Sequence, residues 1–288
     1  MPYLDPKNDL TFKKIFGQHP HLLKSFLNSV MPFNKGEEIV SLEYFPTELV
    51  PEIPLFKNSI VDVRCMDNNG RQFIVEMQML WTDSFKSRVL FNASKAFIKQ
   101  LGKGIKYSGL QPVYSLNIVN ENFETKLENF LHHYKIVHTQ DTGNVIEGLE
   151  FVFIELPKFK AKKLSDKKLE VLWLRFLSEI EDHQEVISQD FLNAPEIKEA
   201  SELILESSYT KAELETYDKY WDYVSTEKTI IADSYNDGLN NGVEIGLEKG
   251  LKKGKIEIAK KLLLMDASMD LIIKSTGLSE QEIKNLVG

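Results

Sequence analysis

Apolar positions recur along this chain in two rhythms, one suited to helices and one to strands. Asn8–Gly17 (NDLTFKKIFG) places Leu10, Phe12, Ile15 and Phe16 on one side of a short helix, with Asn8 to cap it and Gly17 to end it. His21–Val30 predicts a second helix. Ile39–Val50 contains a strand that Pro46 interrupts, and the prolines at 51 and 54 mark an irregular connection. Ser59–Met79 (SIVDVRCMDNNGRQFIVEMQM) then reads as a β-hairpin around DNNG. Thr82–Lys106 predicts a long helix with Leu90, Ala93, Ala96, Phe97 and Leu101 on its inner face. Pro112–Val119 suits a central strand, and strand, helix, strand in succession implies a crossover within one sheet. His133–His138 and Leu149–Leu156 add two strands joined by a polar loop.

Past Pro157 the strands stop. Lys158, Lys160, Lys162 and Lys163 form a basic, non-periodic linker. Amphipathic helices are expected over Asp166–Ile180, Leu192–Glu206 and Lys211–Ser234. Glycine then recurs at 238, 242, 246, 250 and 254. Each glycine costs a helix about 1 kcal/mol relative to alanine, so this stretch is read as either a helix–helix contact or a mobile tether. The tail from Ile256 is helical again, with a capping box at Ser279 and Glu282. Its helix–TGLS–helix pattern is read as a docking hairpin, because SEQEIKNLVG is a poor major-groove reader. Three regions follow: 1–160, 161–234 and 235–288.

The hairpin carries the candidate chemistry. A three-residue loop of Asn68, Asn69 and Gly70 puts Gly70 in the left-handed position and Asp67 opposite Arg71. Counting outward sets Asp62 opposite Glu76, on one side of the sheet, with Gln78 beside them. Two carboxylates and an amide among apolar strands suit a hard divalent ion, Mg²⁺ or Mn²⁺. The structural alternative is ion pairing with Arg64 or Arg71. Asp9 either serves the dipole of its helix or is delivered to the hairpin by that helix.

Composition narrows the class. Of 288 residues, 42% are apolar and 27% charged, ordinary for a soluble globular protein. No membrane span or signal peptide is evident, and the single Cys65 fits a reducing cytoplasm. Cys65 lies on the strand face opposite Asp62, as a buried thiol would. The net charge is −8, yet residues 1–160 carry 18 basic and 18 acidic side chains, so the acidic excess lies beyond them. Within the helix at 82–106, six cations face one acid; Arg88, Lys95, Lys99 and Lys103 are candidate phosphate contacts, the three lysines spaced by four.

NDLTFKKIFG, KNSIVDVRCMDNNGRQFIVEMQ, QPVYSLNIV and LEFVFIELPKF together resemble the PD-(D/E)XK nuclease family transposases, also called the Rpn recombination-promoting nucleases. The resemblance spans essentially the whole chain. It implies an α/β restriction-endonuclease-like fold, a mixed sheet flanked by helices, followed by an all-helical C-terminal region. It implies a Mg²⁺-dependent endodeoxyribonuclease tied to DNA recombination or transposon-like mobility. Asp62 and Glu76 become metal ligands, Asp9 an auxiliary acid, and Gln78 stands where the wider superfamily has lysine. Lys95 or Arg88 is then the source of the missing positive charge. The rival expectation is a catalytically weak DNA-binding or self-assembling protein of a mobile element, and the C-terminal helices are expected to form a homo-oligomer.

Overall fold

The computed structural model of the chain describes residues 1–49, 59–101, 106–161 and 168–286. At the centre of the first compact unit, Met1–Val224, is a six-stranded mixed sheet. Its strands are β1 (Leu42–Tyr44), β4 (Val63–Asp67), β5 (Gln72–Gln78), β6 (Val113–Val119), β7 (Leu131–His138) and β8 (Asp141–Glu155). They lie in the order β1-β4-β5-β6-β8-β7. β1, β4 and β5 are antiparallel, β5, β6 and β8 run parallel, and β7 turns back along β8. Two short strands, β2 (Glu48–Leu49) and β3 (Ser59–Ile60), pair with each other in a separate ribbon.

The register of β4 on β5 is the expected one. Val63 pairs with Val75 and Cys65 with Phe73, which continues outward to Asp62 opposite Glu76. The turn sets it. Gly70 has φ +81°, its N–H donates to the Asp67 carbonyl at 3.0 Å, and the Asp67 N–H donates to the Arg71 carbonyl at 3.0 Å. The hairpin is shorter than expected at its open end. Ser59 and Ile60 leave it to pair with β2, so Asp62 sits just ahead of β4.

Both faces of the sheet are covered. On one, α1 (Asp9–Gln18), α2 (Pro20–Val30), α4 (Leu169–Glu179), α5 (Gln189–Asn193) and α6 (Pro195–Leu203) share a core with Val63, Cys65, Phe73, Val75 and Met77. On the other, α3 (Phe85–Ile98) packs Ala93 and Ala96 against Ile74 and Val113. Alternation therefore points Ile74, Glu76 and Gln78 toward α3. The helices past residue 168 belong to the same core as α1 and α2, whereas the sequence suggested a region of their own from residue 161. Their apolar faces (Trp173, Phe176, Ile197) have Phe16 and Phe26 to bury against.

Other elements depart from expectation for local reasons. α3 stops at Ile98, short of Lys106, because Gln100 exchanges hydrogen bonds with the backbone of Gln111 at 2.9 Å and closes the path toward β6. The polar loop after His138 is instead the outer arm of β8, paired with β7 through two register shifts. Water reaches both faces of that arm, so it has no apolar alternation to recognise. Pro195 splits the helix expected over 192–206; Ala194 before it is extended, and proline starts α6.

The second compact unit is Ser225–Gly288. α7 (Lys211–Leu264) is one continuous helix through all five repeat glycines. Apart from the helix's own backbone, no described atom lies within 4 Å of where a Cβ would stand on any of them. Its last turns form a small core with α8 (Met269–Thr276) and α9 (Glu280–Lys284) through Ala259, Ile272, Leu278 and Ile283. The capping box of Ser279 and Glu282 is present, and Gly277 makes the left-handed turn between α8 and α9 at φ +66°.

Candidate active site

Asp62 and Glu76 lie at the open end of the hairpin, near enough for the Glu76 charge to act on the Asp62 carboxyl. The Asp62 Oδ2 accepts the Met77 backbone N–H at 2.7 Å, which fixes this carboxylate beside β5. A strand residue directs its N–H and C=O to the same side, so the Met77 carbonyl points to the same edge of β5 as the N–H that binds Asp62. Burial pushes the Asp62 carboxyl up to about 7, against the pull of the Met77 N–H; the Glu76 and Asp9 carboxylates push the same way and Lys13 opposes them. Burial likewise raises Glu76, against a hydrogen bond from Asn92 and the charge of Arg88. Both acids are thus costly to ionise in the bare protein.

Their nearest cations stand off. Lys13 Nζ is 4.0 Å from Asp62 Oδ1, and Arg88 Nη2 is 3.8 Å from Glu76 Oε2. Neither distance is a direct hydrogen bond. Arg71 is committed elsewhere, to Asp67 at 2.7 Å and to the Glu37 carbonyl at 2.6 Å. Arg64 donates to Gln72 Oε1 at 3.0 Å and lies over the Phe45 ring. The structural alternative, in which Arg64 or Arg71 neutralises the acids, is therefore not the arrangement found.

The rest of the site comes from α3 and α1. Asn92, nearly fully buried, donates through Nδ2 to Glu76 Oε1 at 3.0 Å. The pattern of charges gave no sign of Asn92. Its one signal was position, four residues past Arg88 on the same helix face. Gln78 donates through Nε2 to the Leu80 carbonyl and accepts from Arg88 Nη2 on Oε1, both at 2.5 Å. Asp9, in the first turn of α1 after the Asn8 cap, binds Lys13 at 2.7 Å, which places both on the Asp62 side of the site. Helix position and proximity to the hairpin thus hold for Asp9 together.

The basic helix face differs from its expected form. Lys95 is 9% exposed and lies over the Phe91 ring, while Lys99 is the C-cap of α3 and exposed. Lys103 lies outside the described residues. Lys86 is stacked over Trp81, Phe123 and Tyr134. Arg88 reaches toward the carboxylates, because it faces Gln78 one turn into α3. The histidines of β7 are structural: His132 meets the buried Glu155 at 2.7 Å and His133 meets Glu150 at 2.7 Å. Cys65 is buried on the opposite face, and burial pushes its thiol up to about 12, unsuited to a nucleophile.

Among the described residues no group of three or more His, Cys, Asp or Glu side chains is assembled for a metal. What the site offers is two carboxylates and a backbone carbonyl, an all-oxygen set that fits one hard divalent ion completed by water. No curated protein matches the chain, and no solved structure matches it. The family model described as PD-(D/E)XK nuclease family transposase matches residues 6–234, which include the whole sheet, its flanking helices and every residue of this site. With that span, and with a mixed sheet flanked by helices as its fold, the chain belongs to the PD-(D/E)XK nuclease family transposases.

Proposed function

We propose that this protein is a divalent-ion-dependent endodeoxyribonuclease, with Asp62 and Glu76 as its metal ligands and Mg²⁺ or Mn²⁺ as the ion. One observation carries the reading: a buried carboxylate on β5 and a half-buried one just ahead of β4, both hard to ionise, with no cation among the described residues in direct contact. A divalent ion bound there supplies Lewis acidity and a water acidic enough to attack at neutral pH. The chain's own groups do the rest. Asn92 fixes Glu76 Oε1 and leaves Oε2 open, the Met77 N–H fixes Asp62 Oδ2, and Asp9 with Lys13 closes the α1 side. In the reaction the water oxygen bonds to phosphorus and the bond from phosphorus to the leaving sugar oxygen breaks.

DNA is the substrate in this reading, and recombination or transposon-like mobility its setting. The exposed apolar residues Leu239, Val243, Leu247 and Leu251 beside the glycines of α7 support self-association of the C-terminal helices. A single buried, unbridged thiol is compatible with a cytoplasmic protein. No helix among the described residues is long and apolar enough to cross a membrane.

The test is nicking of supercoiled plasmid with and without Mg²⁺. Wild type is expected to nick only with the ion, and Asp62→Ala and Glu76→Ala to lose at least ~10²-fold in rate. Cutting by both variants at the wild-type rate sinks the proposal. Salt-dependent binding with no Mg²⁺-dependent product selects a DNA-binding protein instead.

A further inference from the structure

Position 78, where the resemblance to the wider superfamily implies a lysine, is glutamine here, so the site has no cation at that position. The structure shows what that glutamine does. Its Nε2 donates to the Leu80 carbonyl, and this fixes the amide orientation, since only the nitrogen donates. Its Oε1 is then turned toward α3 and accepts from Arg88 Nη2 at 2.5 Å. The same guanidinium nitrogen lies 3.8 Å from Glu76 Oε2, and the guanidinium also rests on the Phe85 ring. Its side chain is 51% exposed against 8% for Glu76. Arg88 is therefore held through one guanidinium nitrogen, beside a carboxylate and open to a ligand.

We infer that Arg88 is the cation that faces the scissile phosphate, and that Gln78 is the positioning residue that holds it there. This inference rests on the proposed nuclease reading. Among the described residues, Lys13 and Lys95 are worse placed. Lys13 is paired with Asp9 at 2.7 Å, on the Asp62 side, away from Gln78. Lys95 is buried over Phe91, and seven residues further along α3 displace it by about 10 Å. A planar guanidinium with a free edge also suits two phosphate oxygens at once. Lysine at 78 cannot accept a hydrogen bond from Arg88 and would repel it. An acceptor at 78 and an arginine at 88 are thus a matched alternative to a single lysine.

The matched pair gives a rescue test in the full-length protein. Arg88→Ala should lower the Mg²⁺-dependent nicking rate by ~10²-fold, the loss typical of one preorganised stabiliser. Adding Gln78→Lys to Arg88→Ala should recover at least about tenfold of that loss. Arg88→Lys, which keeps the charge without the fork, should fall between wild type and Arg88→Ala. A second readout needs no metal: the slope of log affinity against log salt for a short DNA duplex should shrink by about one in Arg88→Ala and return in the double variant. Thermal melts show whether each variant is folded. Wild-type-like nicking or an unchanged salt slope in folded Arg88→Ala overturns the inference. So does a folded double variant no better than Arg88→Ala. Should wild type fail to nick at all, the nuclease reading fails, while the salt slope still tests Arg88 separately.

Discussion

Asp62 shows how much a single carboxylate reveals. Its side chain is 23% exposed, its Oδ2 is held by the Met77 N–H, and its charge is disfavoured where it sits. Because the folded protein holds this proton up to about 7, above the ordinary 3.8, the metal-free wild type loses stability as pH rises across that range. Asp62→Asn keeps an acceptor for the Met77 N–H and removes the charge. Without metal at pH 8 it should be more stable than wild type by ~2 kcal/mol in urea denaturation, and adding Mg²⁺ should stabilise only the wild type. Higher stability of metal-free wild type at pH 8 contradicts this. The sequence made Asp62, Glu76 and Gln78 visible because a hairpin loop fixes register and register fixes faces. Asn92 and the Gln78–Arg88 bond stayed hidden, because they depend on how α3 lies across the sheet, which no pattern within either element encodes.

At the scale of elements, β8 carries a second buried carboxylate with a different task. Glu155 is fully buried; burial alone would raise its pKa, but Lys158, the Glu124 and Phe123 N–H groups and His132 together hold it below the ordinary range. These bonds tie the segment at 123–124 and the strand β7 to the end of β8. A lowered folded value means the stabilisation is present above the unfolded value of 4.5 and is lost as pH falls through the folded one. Glu155→Gln should therefore lower stability at pH 7 by ~3 kcal/mol and flatten the loss that wild type shows below pH 4.5. Urea titrations across that range check it; parallel curves for the two proteins contradict it. Elements packed against the core were legible from apolar rhythm, as α1, β5 and β6 show. The outer arm of β8 was not, since it buries neither face, and the glycine stretch of α7 was not, since its glycines pack against no other element among the described residues.

For the whole molecule, the fold and the site belong to the first unit, while the second carries exposed apolar residues along its long helix. If these residues associate with another copy, Leu247→Lys with Leu251→Lys should shift the protein to monomer in light scattering and leave the melting of the sheet domain unchanged. A wild type that is monomeric at every concentration contradicts it. The claim at the centre remains that Asp62 and Glu76 hold one divalent ion. Crystals soaked in Mn²⁺ and measured at its absorption edge locate such an ion directly. One anomalous peak is expected about 2.1 Å from a carboxylate oxygen of each residue. No peak there, in protein that cuts DNA with Mn²⁺ in solution, would contradict it.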